Sequence, residues 1–324
     1  MELLQGNRFA VASYGVAAGY AGWLLRQFGA DVVHVSALDP EGVGAFLAEG
    51  ASFAPAPSLD AEPGVTLITD APVTPRNRQA LEARAAGGGR VIWITPWGLD
   101  TPWTGRPASD LVLHAAGGWM CSVGDPGREP LGPPGAQGQF VGGLFAAIAA
   151  LSGAAGGIID LPLVEAVAAT MIYDSVAFQY FGLIRGRVGN RFARSQPTLV
   201  TLPCKDGHIG IHAALHGQWV TLTKLIGHPE LVSDPRFASP ADRSANIAGL
   251  DSYLLPWLAE RTRFEVFHTL QAARIPCAAL PTLDEVLASP QLDARKAWRT
   301  VQTPSGRAYT VPGAPARVLA ETGG

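Results

Sequence analysis

Three short apolar runs, V-V-H-V (residues 32–35), V-T-L-I-T (65–69) and R-V-I-W-I-T (90–95), do most to fix what this chain can fold into. Each is too short for a helix. Each is bounded by Gly, Pro or polar residues, as expected of a strand buried on both faces. Helical patterns precede and separate them. Residues 16–28 are apolar and rich in small side chains and end at Gly29, a helix stop, and residues 76–85 form a second amphipathic stretch. Short strands alternating with helices predict an α/β fold built on a parallel sheet. No G-x-G-x-x-G follows the first of these runs, which disfavours a dinucleotide site.

Composition narrows the class further. With 48% hydrophobic and 16% charged residues the 324-residue chain suits a packed globular protein. A formal net charge of −3 is too small to suggest nucleic acid or an anionic membrane as partner. No apolar stretch is long and clean enough for a membrane helix, and M-E-L-L-Q-G-N-R lacks the pattern of a signal peptide. Cys121, Cys204 and Cys277 are isolated and odd in number, which fits reduced thiols, a cytoplasmic location and no zinc site. His208, His212 and His216 share a spacing of four, yet D-G-H-I-G-I-H alternates as a strand does, so no metal is expected there.

Residues 96–138 are rich in Gly, Pro and Trp, with a helix expected over 109–119. Residues 140–151 and 161–181 read as long, largely buried helices. The pattern changes after Arg194: strands T-L-V-T-L and H-I-G-I-H precede helices at 217–226, 241–259 and 263–273. The expected organisation is a large α/β domain over residues 1–195, completed by 300–324 through the strand R-A-Y-T-V-P, and a smaller α+β domain over 196–299.

Several stretches then carry a resemblance that covers nearly the whole chain. They are A-A-G-Y-A-G-W-L-L-R-Q-F-G-A-D-V-V-H-V, the P-W-G-L-D-T-P-W-T-G-R-P-A-S-D segment, R-V-G-N-R, C-K-D-G-H-I-G-I, H-P-E-L-V-S-D-P-R-F-A-S-P-A-D-R and I-P-C-A-A-L-P-T-L-D-E-V-L-A-S-P-Q-L. Together they resemble the class III CoA-transferases, the carnitine-dehydratase/bile-acid-inducible family that includes the α-methylacyl-CoA racemases. The resemblance implies a Rossmann-like large domain, a small domain, and an interlocked homodimer in which each chain threads its partner. It also implies coenzyme A or acyl-CoA as substrate, and a cleft between the two domains.

The departures from that family cluster at its sites. Where its motif D-x-x-x-G-[LM]-x-A-A supplies a nucleophilic aspartate, this chain reads Q-F-V-G-G-L-F-A-A, with Gln139 in the slot. An amide cannot form the acyl anhydride and enzyme thioester that a carboxylate forms. Residues 130–159 hold no Asp or Glu that a shifted alignment would bring in. Where the racemases place a His, this chain has Ser109, and His114 reads as a packed or surface residue. By the resemblance, Val16, Ala17, Ser36, Asp70 and Ala71 occupy CoA-contacting positions, although Ser36 replaces a Glu and Asp70-Ala71 replace an Asn-Phe pair. Asp160 persists at a valine-aspartate position without its usual Arg. Arg76 and Arg78 either meet a phosphate or are solvated residues of a helix face.

Ser13, Tyr14 and Ser109 offer hydroxyls without a His–Asp signature to activate them. Glu165 and Asp174 lie on opposite sides of the expected helix and make no dyad. Trp93, Trp97, Trp103 and Trp119 read as core packing before pocket wall. The leading expectation is a divergent CoA-transferase-like enzyme for a small carboxylic acid or its CoA thioester, with Gln139, Ser109 and Tyr14 at the reacting centre. Gln139 would orient an acyl oxygen there without covalent chemistry. The alternatives are a non-catalytic sister subunit paired with an Asp-bearing paralogue, an enzyme turned to a substrate without CoA, and an acyl-CoA racemase or isomerase.

Overall fold

The computed structural model describes residues 3–316 except 37–40, 55–58, 60–61, 63, 154–155, 185, 192–197 and 304. The chain divides into two compact units. One comprises Met1–Met120, Gly132–Ile184 and Ala288–Gly324, the other Cys121–Leu131 and Arg185–Leu287. The boundary expected at residue 195 lies outside the described residues.

The first unit runs β1 (Arg8–Ala12), α1 (Val16–Gln27), β2 (Asp31–His34), α2 (Gly42–Ala48), β3 (Ser52–Phe53), β4 (Thr66–Thr69), α3 (Pro75–Ala86), β5 (Arg90–Thr95), α4 (Asp110–Ala116), α5 (Gln137–Leu151), β6 (Gly157–Pro162), α6 (Leu163–Ala169) and α7 (Ile172–Phe181). Six strands form one sheet in the order β3-β2-β1-β4-β5-β6, and every pairing is parallel. This is the α/β architecture expected, with the strand order of a doubly wound dinucleotide-type fold. The order reverses between β1 and β4, so the crevice such sheets use for ligands opens beyond the carboxyl ends of those two strands. Ala12 pairs with Thr69, which sets the two strand ends level and brings Ser13–Gly15 beside Asp70.

Alternation along β1 explains the layers. Phe9 and Val11 point into a core shared with Trp23, Leu24 and Leu25 of α1 and Ala146 and Ala150 of α5, while Ala10 and Ala12 join Leu81 of α3, Val91 and Trp93 on the other face. Helix α1 stops where expected. Gly29 adopts φ +96°, and Ala30 N–H turns back to the Leu25 carbonyl at 3.1 Å, a hydrogen bond that closes the helix end. At the start of α3, Thr74 accepts from Asn77 N–H, and Pro75 supplies a fixed φ in the first turn.

Three of the differences between the sequence reading and the structure have a clear physical reason. The sequence reading passed over β1, because R-F-A-V-A is short and half its apolar residues are alanines, weak strand formers. It read residues 161–181 as one helix, but G-I-I-D-L-P pairs with β5 as the edge strand β6 and the helical part breaks at Thr170–Met171. A short apolar run is ambiguous between strand and helix until its neighbours are known. Finally, 241–259 breaks into two helices at Asn246, whose side-chain amide donates to the Asp242 carbonyl.

The second unit contains β7 (Leu199–Cys204), β8 (Gly207–His212), α8 (His216–Leu225), α9 (Pro240–Ala245), α10 (Ile247–Ala259), α11 (Arg263–Ala272), β9 (Cys277–Ala279) and α12 (Leu283–Leu287). Its strands form an antiparallel sheet, β7-β8-β9. The chain then returns to the first unit as α13 (Pro290–Ala294) and a two-stranded ribbon of β10 (Trp298–Gln302) and β11 (Ala308–Pro312). This ribbon contains R-A-Y-T-V-P. It stands apart from the six-stranded sheet and is held by Arg299, which donates to Gln27 at 3.0 Å and pairs with Glu49. Among the described residues, no helix is long and apolar enough to cross a membrane.

Candidate active site

The site lies wholly within the first unit, where the turn from β1 into α1, the end of β4, and the first turns of α4 and α5 converge. Gln139 is the third residue of α5. Its Oε1 accepts from Val16 N–H at 2.8 Å, and its Nε2 donates to Asp110 Oδ2 at 2.7 Å. Backbone N–H of the same residue donates to Asp110 Oδ1 at 3.2 Å. These partners fix the orientation of the amide, since the end facing a carboxylate must donate and the end facing an N–H must accept.

Asp110 opens α4 directly after Ser109, whose hydroxyl caps the helix by accepting from Val112 N–H. One turn later on α4, His114 is almost fully buried. Its Nε2 accepts from Gly138 N–H at 3.1 Å and lies 3.8 Å from Asp110 Oδ1. The ring stacks on Trp119 with centroids 4.9 Å apart, and Nδ1 is buried with no hydrogen-bond partner among the described residues. Asp110 and His114 thus satisfy two of the free N–H groups at the start of α5, a helix that has no capping side chain of its own there. A side chain at Gly138 would meet Asp110 Oδ1 at 3.1 Å and His114 Nε2 at 3.3 Å, so glycine is what allows both contacts.

Asp70 fills the other half of the site. Its Oδ1 accepts from Tyr14 N–H at 2.6 Å, and its Oδ2 accepts from Gly15 and Ala18 N–H at 3.2 Å each. Burial pushes its carboxyl above the ordinary carboxylate range, and the three backbone donors oppose that push without reversing it. The start of α1 is therefore occupied from within: Asp70 takes three N–H groups and Gln139 takes that of Val16. A Cβ on Gly15 would come within 2.9 Å of Gln139 Oε1 and 3.3 Å of Asp70 Oδ2, so a side chain at that turn would push on both contacts.

The residues singled out from sequence fall into three groups. Gln139, Val16, Asp70 and the Tyr14 backbone converge, although the Tyr14 ring is exposed. Ser36, Ala17 and Ala71 are buried and engaged within the fold. Ser36 Oγ accepts from Ser13 N–H and donates to the Ser13 carbonyl, and the Ala71 carbonyl accepts from Trp93 Nε1 at 2.8 Å. Ser109 is a helix cap with an exposed residue surface. Arg76 is exposed on α3, and Arg78 is committed to Glu82, Asp100 and the Leu99 carbonyl. Asp160 accepts from Leu99 N–H at 2.9 Å and pins the Gly98 turn. Glu165 and Asp174 sit on separate helices, α6 and α7.

Asp110 is the member of this constellation that sequence reasoning missed. It was visible as the last residue of R-P-A-S-D, but nothing in a spacing of 29 residues signals contact with Gln139. As an assembly, the site sets two carboxyl groups on either side of one neutral amide, with no Lys or Arg paired to either among the described residues.

Residues 91–323 match CoA-transferase family III. The chain belongs to that family. Among curated relatives it is 27% identical over 222 residues to succinyl-CoA–D-citramalate CoA-transferase of Chloroflexus aurantiacus, covering 66% of this chain and 55% of that one. It is 24% identical over 215 residues to the beta subunit of succinyl-CoA–L-malate CoA-transferase of the same organism, covering 64% and 53%. The chain thus spans about half the length of these relatives. Among solved structures, a Mycobacterium tuberculosis protein superposes with a TM-score of 0.77 at 22% identity, covering 98% of this chain and 94% of that one, a likeness of fold.

Proposed function

We propose that this chain is a CoA-transferase-like enzyme acting on a small carboxylic acid or its CoA thioester, with its reacting centre at the β1–β4 switch point. The observation that carries this reading is the placement of Gln139 between the first turn of α1 and Asp110, at the end of the sheet where such folds bind ligands. Family membership and relatives named for succinyl-CoA chemistry support the substrate class. The chemistry is non-covalent with respect to Gln139. One Nε2–H is spent on Asp110, and the second remains to orient or stabilise an acyl oxygen.

Two measurements test the reading. Calorimetry with CoA and acetyl- or succinyl-CoA should give micromolar binding, about −8 kcal/mol, and incubation of acyl-CoA with isotopically labelled free acid should move label into the thioester. Absence of both would leave the version acting on a substrate without CoA.

A second subunit is part of the proposal. Helices α5 and α7 of the first unit present Leu144, Ile148, Tyr173, Tyr180 and Phe181 to the surface, and Phe181 and Ile184 are each 81% exposed. So much exposed apolar surface favours burial against another chain. A homodimer is the leading assembly, and a complex with an Asp-bearing paralogue is the other, supported by the relative named as a beta subunit. Exchange activity of the purified chain alone supports the homodimer; activity only after co-expression with such a paralogue supports the sister-subunit role.

A further inference from the structure

We propose that Asp110 is the nucleophilic carboxylate of this site, an assignment that rests on the CoA-transferase reading above. Moving CoA between two acids by covalent catalysis requires an enzyme carboxylate that can become first an anhydride and then a thioester. Two carboxyl groups face the switch point, and their surroundings separate them. Asp70 is bound by three backbone N–H groups and held in the turn that starts α1, so its displacement would uncap that helix. Among the described residues Asp110 accepts hydrogen bonds from Gln139 alone, through one side-chain donor and the single backbone N–H by which it helps cap α5; His114 Nε2 lies 3.8 Å from its Oδ1, and its side chain keeps 16% of its surface exposed. Each oxygen of Asp110 retains a lone pair beyond the one engaged.

The neutral residue at 139 then has a chemical role. An amide can bind a neighbouring carboxylate without repelling it, and it steers Oδ2 from one side while leaving the other free. In the reaction, an Asp110 oxygen attacks the thioester carbonyl carbon. The C–O bond forms, the C–S bond breaks, and CoA leaves with the electron pair as a thiolate. That thiolate attacks the Asp110 carbonyl carbon of the resulting anhydride, releasing the donor acid as its carboxylate and leaving an aspartyl–CoA thioester. The acceptor carboxylate attacks this thioester and expels the thiolate, which adds to the acceptor carbonyl of the new anhydride and frees Asp110. No external oxidant, reductant or net proton transfer is needed.

The test is adduct mapping on the full chain. The protein is incubated with succinyl-CoA and, separately, acetyl-CoA, quenched with hydroxylamine, digested and sequenced by mass spectrometry. An aspartyl hydroxamate at Asp110 is the expected result. The variant Asp110→Asn should lose the adduct and slow label exchange by at least about a thousandfold, with CoA affinity by calorimetry unchanged. Because that variant also weakens the cap of α5, the wild-type map stands as the primary readout. CoA binding or label exchange with the hydroxamate on another carboxylate, or with none at all, overturns the role of Asp110 and leaves the transferase reading intact. A chain that neither binds CoA nor exchanges label overturns both.

Discussion

The isosteric change Gln139→Glu tests the geometry at the centre of the site without moving an atom by design. The new carboxylate keeps its acceptor contact with Val16 N–H but turns a donor into a second negative oxygen facing Asp110 Oδ2 across 2.7 Å. Two unit charges at that separation repel by about 6 kcal/mol at an effective dielectric of about 20. Side-chain movement and the partial exposure of Asp110 reduce the retained cost to about 2–4 kcal/mol. The pair therefore holds one proton that the unfolded chain has already lost. A carboxyl whose folded value is raised stabilises below its unfolded value and loses that contribution as pH rises through the folded value. The stability of Gln139→Glu should fall by about 2–4 kcal/mol between roughly pH 4 and pH 7 relative to wild type. The control Gln139→Met, which cannot ionise, should run parallel to wild type. Urea denaturation followed by tryptophan fluorescence at half-unit pH intervals measures all three. Parallel curves for the Glu variant and wild type would refute the contact between residues 110 and 139, and with it the account of the site.

Other parts of the first unit make sharper demands on single residues. Burial, and then the nearby Arg26 guanidinium, push the His34 imidazole down to about 4 from its ordinary 6.5, so the fold holds it neutral. The unfolded chain gains a proton first as pH falls, so wild type should lose about 3 kcal/mol between pH 6.5 and 4 that His34→Gln does not lose, measured by thermal melts across that window. Gly143 lies where a Cβ would come within 2.7 Å of the Ala17 carbonyl, so Gly143→Ala should force α1 and α5 apart and cost about 2–3 kcal/mol in the same urea assay. Asp70→Ala strips three backbone donors of their acceptor and should cost about 2–4 kcal/mol. Since burial raises the Asp70 carboxyl, that cost should be larger at pH 5 than at pH 8, and a cost that grows with pH would show the sign to be wrong.

What was legible in the sequence divides along a physical line. Periodicity found α1, α3, β5 and the hairpin of β7 and β8, because each has a face whose burial is written in consecutive residues. It missed β1 and β6, whose membership in the sheet is decided by partners 23 to 67 residues away. The same limit governed the site. Gln139 stood out as one residue in a motif, but its two partners, the Val16 backbone and Asp110, are separated from it by 123 and 29 positions and are joined to it only by the packing of α5 on α1 and α4. The absence of Asp and Glu over 130–159 excludes a shifted alignment within that stretch, and the carboxylate that faces Gln139 comes instead from the preceding helix.

The stretches that made the family readable have their own physical explanation. In H-P-E-L-V-S-D-P-R-F-A-S-P-A-D-R, Arg243 is buried, donates to the Phe237 carbonyl at 2.7 Å and lies 4.7 Å over the Trp219 ring, while Ser239 and Asp242 form the capping box of α9. In the stretch ending P-T-L-D-E-V-L, the Leu280 carbonyl and Glu285 both accept from Arg263, whose backbone N–H donates to Asp206. A buried guanidinium that loses its acceptors is costly, so these residues hold the second unit together whatever reaction the chain performs. Likeness in such positions therefore reports the fold. On the reading proposed above, the reaction would be decided in the first unit, where Gln139, Asp110, His114 and Asp70 meet and a single amide in place of a carboxylate changes which neighbouring group is free to act.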